Sequence, residues 1–306
     1  MVLKKIIKKD SYIYFFLKRM KMKLIDIRFN YMDLEEKKKY IGKLYKKHIG
    51  KEIDWDAPKS YTEKIQCEKL YGSLEYKILL ADKYRVRNWV ESRIGKEYLI
   101  EILGVWKNVD EIDFSKLPNK FVLKTNCASG DAIVITNKGK LKNSEIAKYR
   151  KKLNYYLNCK YGIDTGEFQY SNMKPLIIAE KFIGFGEEDL PDYKFLCFEG
   201  VPYYCWVDVG RHHNHKRNVY DMNWELQNWN QERYGNTEYE IPKPANFEKM
   251  IEIATKLSNG FKHVRVDLYN VKGKIYFGEM TFTNGSGFEP IIPDEADLML
   301  GAMWKL

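Results

Sequence analysis

Short apolar runs separated by polar turns make up much of the chain after residue 120. Runs rich in β-branched and aromatic residues, several with alternating polar positions, predict strands. The predicted strands are residues 121–124, 132–136, 176–183, 192–198 and 201–209, and the two arms of a hairpin within 264–282. The strands 192–198 and 201–209 are expected to form a hairpin of their own around Glu199-Gly200.

Apolar residues with helical spacing precede and separate these strands. They predict a helical N-terminal segment over 1–60, a helical region over 61–117, and helices at 143–157 and 246–257. Residues 210–240, which are polar and aromatic, predict a long loop.

The hairpin near the end of the chain carries the most informative set of charges. A three-residue loop at 271–273, with Gly273 in the left-handed conformation, would place Arg265 opposite Glu279 and Asp267 opposite Phe277. Since side chains alternate along a strand, one face would carry Arg265, Asp267, Glu279 and Thr281. The other face is expected to be core and to carry Val264, Val266, Leu268, Tyr276 and Met280. The charged face is either a Mg²⁺ site or a structural salt-bridge cluster.

Composition and charge restrict the classes of function. The net charge is +10, and residues 1–50 account for all of it, with 15 Lys and Arg against 5 Asp and Glu. The main body therefore lacks the excess positive charge of a nucleic-acid-binding surface, and no nucleic-acid partner is expected. The basic segment mixes Lys with large apolar residues, so it is either a solvated helical region or a peripheral contact with an anionic membrane. The five cysteines form no C-x-x-C pair, and we expect a cytoplasmic protein.

Three further stretches have residue types suited to a nucleotide. Lys124 ends an apolar strand and precedes the small-residue loop 125–130, where Ser129 and Gly130 could offer backbone N–H groups to phosphate. Glu180-Lys-Phe-Ile183 ends another strand and could present its backbone to an adenine edge. Asp192 could accept hydrogen bonds from ribose hydroxyls, and Lys194 lies on the same face of its strand.

Other candidates are weaker. Arg211-His-His-Asn-His215 suggests a metal site, but no second ligand group with zinc-like spacing accompanies it. Cys127 and Cys197 could be nucleophiles, although a small buried role is more typical of cysteine. Neither a Walker P-loop nor the protein-kinase motifs occur in the sequence.

The order of these signals resembles the ATP-grasp superfamily, and most closely its TupA-like members of teichuronopeptide and capsule synthesis. The resemblance rests on TEKIQCEKLYG (62–72), ADKYRVRNWV (81–90), FVLKTNCASG (121–130), IIAEKFI (177–183), DYKFLCFEGVP (192–202) and VRVDLYNVKGKIYFGEMTF (264–282). It implies an ATP-grasp fold in which two α+β subdomains, residues 118–183 and 184–306, enclose ATP after a helical N-terminal region.

The resemblance also implies roles for individual residues. Lys83 and Lys124 would contact ATP phosphates while the loop with Ser129 and Gly130 closes over the nucleotide. The adenine hinge would be Glu180, Lys181, Phe182 and Ile183, and Asp192 would bind the ribose. Asp267 and Glu279 would hold Mg²⁺, and Arg265 and Lys194 would offset charge on the transferred phosphoryl group. The superfamily has Asn two residues after the Glu, but this chain has Thr281 there, so either Thr281 or Asn284 completes the metal site.

The activity implied is an ATP- and Mg²⁺-dependent ligase that forms an amide through an acylphosphate. The expected substrates are an amino acid or amine and a uronic-acid-containing sugar or lipid-linked glycan of surface polysaccharide synthesis. Arg211, with the tryptophans of residues 205–240, suits an anionic sugar. Two alternatives stay open: a glycosyltransferase that uses a nucleotide sugar and a divalent ion, and a nucleotide-binding scaffold without chemistry.

Overall fold

The computed structural model describes residues 11–184, 190–211 and 213–306, with only the backbone described at Tyr12. The first ten residues of the predicted basic segment, Gly186 after the third predicted strand, and His212 of the histidine-rich stretch lie outside the described residues. The described helices are α1 (Tyr12–Tyr31), α2 (Leu34–Ile49), α3 (Tyr61–Tyr71), α4 (Leu74–Leu80), α5 (Val86–Ile94), α6 (Asn143–Asn158), α7 (Phe168–Ser171), α8 (Phe247–Ser258) and α9 (Asp294–Met303). The described strands are β1 (Ile102–Trp106), β2 (Phe121–Thr125), β3 (Ile133–Ile135), β4 (Ile177–Lys181), β5 (Asp192–Phe198), β6 (Val201–Val209), β7 (Lys216–Asp221), β8 (Asn230–Gln231), β9 (His263–Val271), β10 (Lys274–Thr281) and β11 (Ile291–Ile292).

The chain folds into two compact units, each assembled from separate segments. The described part of the first unit lies within residues 1–37, 74–85 and 101–182, and the second takes residues 38–73, 86–100 and the described part of 183–306. The mixture of helices with antiparallel sheets confirms the predicted α+β class. None of the described helices has both the length and the apolar character that crossing a lipid bilayer requires.

The first unit is built on a four-stranded antiparallel sheet with strand order β1-β4-β2-β3. Its core consists of apolar side chains from β2 and β4, among them Phe121 and Ile177, together with Leu153 of α6. Helix α6 begins at Asn143, as the sequence predicts. The Glu145 carboxylate stabilises this end by accepting a hydrogen bond from the Lys142 N–H at 2.9 Å. Strand β1 forms the edge of the sheet, within a region for which the sequence predicted only helix.

The second unit is built on a five-stranded antiparallel sheet with order β10-β9-β5-β6-β7. Helix α8 packs on β5, β6 and β9. A second cluster joins Leu196 of β5 and Trp206 of β6 to residues of α3 and α9, including Tyr61 and Trp304. The predicted hairpin of β5 and β6 turns at Glu199 and Gly200, which both adopt positive φ angles, as a two-residue turn requires.

The sheet of the second unit extends further than the sequence predicted. Strand β7 pairs with β6 over six residues, from Lys216 opposite Val209 to Asp221 opposite Tyr204. It lies within residues 210–240, which were expected to be a loop. Besides this ladder, Arg217 of β7 forms an ion pair with Asp208 of β6, and Val219 of β7 joins the apolar core.

The register of the last hairpin corrects the prediction. The loop between β9 and β10 has two residues, Lys272 and Gly273, both with positive φ, and Val271 pairs with Lys274. The register then shifts between Phe277 and Glu279, so that Asp267 lies opposite Glu279 and Arg265 opposite Thr281. The shift falls at Gly278, where a β-carbon would lie 3.0 Å from the Asp267 carbonyl oxygen.

This bulge reverses the faces predicted for the first part of β10. Phe277 pairs with Leu268 and is buried, whereas Tyr276, predicted to be core, pairs with Tyr269 and is only half-buried. Beyond the bulge the prediction of the charged face is confirmed, because Arg265 contacts Asp267, Glu279 and Thr281.

Candidate active site

One face of the five-stranded sheet carries a row of charges that crosses four strands. In the strand register, Lys194 on β5 lies opposite Asp267 on β9, and Asp267 lies opposite Glu279 on β10. Two residues before Lys194, Asp192 on β5 lies opposite Asp208 on β6. We call this set of charges the charged row. Each of these side chains except Glu279 is almost completely buried. Such burial is costly unless every charge has a partner, so the partners define the site.

The Arg265 guanidinium is the centre of the row. Its Nε and Nη2 donate to the two oxygens of Asp267, each at 2.7 Å. Nη2 also donates to Glu279 Oε1 at 3.2 Å and to Thr281 Oγ1 at 3.1 Å. The side-chain oxygen of Asn284 accepts from Nη1. Oxygens from all four residues predicted to hold metal therefore converge on one cation.

Lys194 joins this arrangement to Asp192. Its Nζ lies 2.7 Å from Asp267 Oδ2 and 2.5 Å from Asp192 Oδ2. Burial works against the charged ammonium, but the two carboxylates outweigh it and hold the pKa of Lys194 above its usual value. Lys194 is therefore a fixed positive charge at physiological pH.

Asp192 has one oxygen in use and one that is not. Oδ2 accepts from Lys194 and from Arg211 Nη1, the latter at 2.7 Å. Oδ1 is buried and has no hydrogen-bond partner among the described residues. A buried acceptor without a donor is costly, and a hydroxyl group of a ligand would satisfy it. This observation fits the predicted contact with ribose.

The sequence reasoning missed the continuation of the row at Asp208 and Arg217. Arg217 binds Asp208 through two hydrogen bonds, Nε to Oδ1 at 2.5 Å and Nη2 to Oδ2 at 2.8 Å. Burial would raise the pKa of the Asp208 carboxyl, but Arg217, with His215 and Lys194, holds it well below the usual value. A lone carboxylate in the apolar strand β6 was the only signal in the sequence, and its partner lies on a strand that was not predicted.

The charges of this row balance. Its four carboxylates are Asp192, Asp208, Asp267 and Glu279, and its four cations are Lys194, Arg211, Arg217 and Arg265. A divalent ion that arrived alone would find no excess negative charge to neutralise. An ion that arrives with the phosphates of a nucleotide carries its own counter-charge.

The first unit contains the other predicted phosphate contacts. Lys124 Nζ lies 2.6 Å from Glu180 Oε2, so these two predicted site residues form an ion pair between adjacent strands β2 and β4. Lys83 Nζ donates to the Ala128 carbonyl at 2.8 Å, and its backbone N–H donates to the Asn126 carbonyl. Both lysines therefore lie at the loop 125–130 or beside it.

The loop itself is anchored over its first half. Asn126 is completely buried, and its side chain donates to Asp82 Oδ2 at 2.7 Å and accepts from the Leu176 N–H. Thr125 donates to Asp131 through its backbone N–H and its hydroxyl. Only Ser129 and Gly130 are exposed, so closure over a nucleotide would be restricted to this tip. Asp82, Asn126 and Asp131 are positioning residues that the sequence reasoning did not single out.

The predicted adenine hinge consists of the last two residues of β4, Glu180 and Lys181, and the two residues that follow the strand. The backbone N–H of Lys181 donates to the Glu101 carbonyl, and its exposed side chain pairs with Glu101 at 3.1 Å. Phe182 and Ile183 leave the sheet and are half-buried. The structure thus leaves the backbone of these two residues outside the sheet's ladder, as a hinge role requires.

The described cysteine and histidine candidates do not form a reactive or metal-binding centre. Burial raises the pKa of the Cys127 thiol to about 11 and that of Cys197 to about 12, so both are protonated at neutral pH. Within the described ranges, no group of three or more His, Cys, Asp or Glu side chains is arranged to hold a metal ion. His215 instead lies 3.4 Å from Asp208 and against the ring of Tyr234.

The oxygens around Arg265 fit Mg²⁺ that is bound together with phosphate. Mg²⁺ takes hard oxygen ligands and is usually held by one or two carboxylates plus phosphate and water. Asp267 and Glu279 supply two carboxylates at Arg265 Nη2, and Asn284 supplies an amide oxygen at Nη1 of the same guanidinium. The Thr281 hydroxyl donates to Glu279 Oε1 at 3.1 Å. Asn284 is therefore the better candidate for the third protein ligand.

Comparisons with known proteins place the chain in a family. The family model described as TupA-like ATPgrasp matches residues 63–305. Among solved structures, D-alanine–D-alanine ligase from Helicobacter pylori is 14% identical, with a TM-score of 0.41, over 80% of this chain and 69% of that one.

Two further structures give similar values. The ATP complex of D-alanine–D-alanine ligase from Bacillus anthracis is 14% identical over 67% of this chain, with a TM-score of 0.37. An L-amino acid ligase from Bacillus licheniformis is 13% identical over 71% of this chain, with a TM-score of 0.39. The chain spans only 54% and 43% of the length of these two proteins. No curated protein matches the sequence. Because the family model covers most of the chain, the protein belongs to the TupA-like ATP-grasp family, which confirms the predicted ATP-grasp fold.

Proposed function

We propose that this protein is an ATP- and Mg²⁺-dependent carboxylate–amine ligase. Its substrates would be an amino acid or other amine and the carboxylate of a uronic acid unit, carried on a sugar or lipid-linked glycan of surface polysaccharide synthesis in the cytoplasm. The observation that carries the proposal is the buried row in which Asp267 and Glu279 face each other across Arg265, with Lys194 at 2.7 Å from Asp267. A structural salt-bridge cluster gives no reason for the unpartnered Oδ1 of Asp192.

The reaction has two steps with balanced atoms. An oxygen of the acid attacks the γ-phosphorus of ATP while the bond from that phosphorus to the β–γ bridging oxygen breaks, which gives an acylphosphate and ADP. The amine then attacks the acyl carbon and loses a proton, and inorganic phosphate leaves with an oxygen of the original acid. The protein contributes positioning and charge stabilisation rather than a covalent intermediate.

Residues of each unit have separate tasks. In the second unit, Asp267 and Glu279, with Asn284, would hold Mg²⁺, which neutralises phosphate charge when it is bound. Arg265 and Lys194 are fixed cations that would stabilise negative charge on the transferred group. In the first unit, Lys83 and Lys124 would bind the phosphates, and the tip at Ser129 and Gly130 would exclude water.

Arg211 is the proposed contact for the carboxylate of the acid. Its side chain is 42% exposed although its Nη1 binds Asp192 at 2.7 Å. The guanidinium thus has donors directed to solvent as well as a buried anchor, and a planar fork of this kind suits a carboxylate. Arg211 is the most exposed of the four cations of the charged row, so an acceptor could reach it from solvent.

Nucleotide binding by the full-length chain tests the proposal. Isothermal titration with Mg²⁺-ATP should give a dissociation constant within the usual range of about 1 μM to 1 mM, and a UDP-sugar with Mg²⁺ should give no heat. Asp267→Asn should weaken Mg²⁺-ATP binding, while Asp110→Asn, at an exposed surface carboxylate, should leave it unchanged. Binding of the UDP-sugar in preference to ATP would support the glycosyltransferase instead and refute the ligase.

A further inference from the structure

Helix α1 has two apolar faces, and one of them packs within the first unit. On the inner face Phe15 packs on Tyr155 of α6, with ring centroids 4.9 Å apart, and Phe29 packs on Phe168 of α7 at 5.4 Å. Met22, between them, is buried. These contacts fix α1 to the first unit, so its orientation there is defined.

The outer face carries a row of large exposed apolar side chains. Their exposed fractions run from 39% at Met20 to 86% at Tyr31, and the row consists of Ile13, Phe16, Leu17, Met20, Leu24, Ile27 and Tyr31. At 3.6 residues per turn, all seven fall within an arc of about 100°, opposite the face that packs on the unit. We call this set the outer stripe.

Basic side chains border the outer stripe on both sides. Lys21 and Arg28 lie along one edge, and Arg19 and Lys23 lie along the other. At the second edge, Arg19 and Lys151 of α6 line one shallow groove together with Phe16. Lys21 also pairs with Asp164 of the first unit at 3.6 Å, and Asp26, the acidic residue of α1, is half-buried toward the packed face. The four basic side chains outnumber these carboxylates, so the edges keep a net positive charge.

We propose that α1 docks the protein on an anionic lipid bilayer, with the outer stripe in the boundary between headgroups and acyl chains. An apolar arc flanked by cations on both sides is the pattern of a helix that lies in the plane of a membrane interface. The flanking Lys and Arg side chains would meet lipid phosphates.

A second copy of the chain fits the stripe less well. The spacing of Ile13, Leu17, Met20, Leu24 and Ile27 alternates between three and four residues, as in a coiled coil. In either orientation, however, two such helices would bring basic edges against basic edges, and like charges at these positions disfavour pairing. An anionic surface complements both edges. The docking inference stands apart from the proposed catalytic function, because none of its residues belongs to the charged row.

Vesicle flotation of the full-length chain tests the inference. The protein should float with vesicles of phosphatidylglycerol and phosphatidylethanolamine, and at least about tenfold less with pure phosphatidylcholine vesicles or in ~1 M salt. The double variant Leu24→Glu and Ile27→Glu should lose at least about tenfold in partition onto the anionic vesicles. Leu298→Glu is the matched control, because Leu298 is 49% exposed on helix α9 of the second unit, and it should float like the parent.

Charge reversal tests the edges separately. Arg19→Glu with Lys23→Glu should weaken partition by about tenfold or more, while the control pair Lys39→Glu with Lys43→Glu, exposed on α2, should change it less than about threefold. Circular dichroism melts should match the parent for all variants, since every substituted side chain is exposed. The inference is overturned if the parent does not float, if the Leu24 and Ile27 variant floats unchanged, or if size-exclusion chromatography shows a parent dimer that this variant converts to monomer.

Discussion

The Asp208–Arg217 pair is the part of the charged row with the clearest energetic consequence. We expect Arg217→Met, which keeps most of the side-chain volume, to destabilise the second unit strongly. Arg217 is almost completely buried, binds Asp208 through two hydrogen bonds at 2.5 and 2.8 Å, and donates to Gln231. Its removal leaves a buried carboxylate without its main partner.

The magnitude follows from the burial and the remaining neighbours of Asp208. Two unit charges ~4 Å apart at an effective dielectric constant of ~20 attract by about 4 kcal/mol, and breaking one side of a buried pair typically costs about 3–5 kcal/mol. Lys194, at 3.9 Å, and His215, at 3.4 Å, still face Asp208 in the variant. The loss should therefore fall near the lower end, at about 3 kcal/mol.

Urea unfolding followed by tryptophan fluorescence measures this loss, because the Arg217 guanidinium stacks 4.7 Å from the ring of buried Trp206. The matched control is Arg233→Met, where the side chain is 72% exposed and lies 3.4 Å from Glu289; it should cost less than about 1 kcal/mol. Adding Asp208→Asn to Arg217→Met should recover part of the loss, since the uncompensated charge is removed. If Arg217→Met costs no more than Arg233→Met, or if the added Asp208→Asn deepens the loss, the reading of this pair is wrong.

Three further predictions test the site and the fold. Glu279→Gln should leave ATP affinity within about threefold but lower turnover, measured as ADP release, at least ~100-fold, because the carboxylate would act on charge that develops during transfer. Equal turnover in this variant and in the surface control Glu248→Gln would refute the assignment. Lys124→Ala should weaken ATP binding about 10- to 100-fold by calorimetry, as the loss of a charge-assisted hydrogen bond implies, whereas exposed Lys120→Ala should not. Burial lowers the pKa of His263 to about 3, so below about pH 6.5 this side chain gains a proton in the unfolded protein but not in the folded one. The free energy of unfolding of the parent should therefore fall by about 2 kcal/mol from pH 8 to pH 5, relative to that of His263→Gln. Equal pH dependence in both proteins would contradict this.

The sequence was sufficient to predict most strands because their apolar alternation is local information. Strands β5 and β6, with the turn at Glu199 and Gly200, agree with the prediction at both ends. The predicted helix 246–257 corresponds to α8 within one residue. In each case, the residues that specify the element also bury one of its faces.

The register of the last hairpin could not be predicted in the same way. A glycine at position 278 is compatible with a regular strand and with a bulge, and the choice is set by the close approach of the Asp267 carbonyl. The predicted loop length also assumed that Gly273 alone takes a positive φ, whereas Lys272 does so too. The convergence of Asp267 and Glu279 depends on both features, so the sequence predicted which residues meet but not which lie opposite.

The extent of the charged row was equally inaccessible. Asp208 and Arg217 are nine residues apart in sequence and meet only because β7 returns along β6. Four of the six residues of β7 are charged or polar, and the buried Arg217 is compensated by Asp208, so the apolar alternation typical of a strand is weak there. The pairing of Lys124 with Glu180 likewise depends on the order of strands in the first sheet.

Oxygen transfer from the acid to phosphate tests the ligase mechanism most directly. The full-length protein would be incubated with Mg²⁺-ATP, a mixture of amino acids, and a panel of uronic acids and uronic-acid-containing glycans labelled with ¹⁸O in the carboxylate. We predict that ADP, amide and inorganic phosphate appear in equal amounts and that each phosphate carries one ¹⁸O atom, because an acylphosphate retains an oxygen of the acid. Amide formation with unlabelled phosphate, or sugar transfer from a UDP-sugar without ATP consumption, would contradict the account.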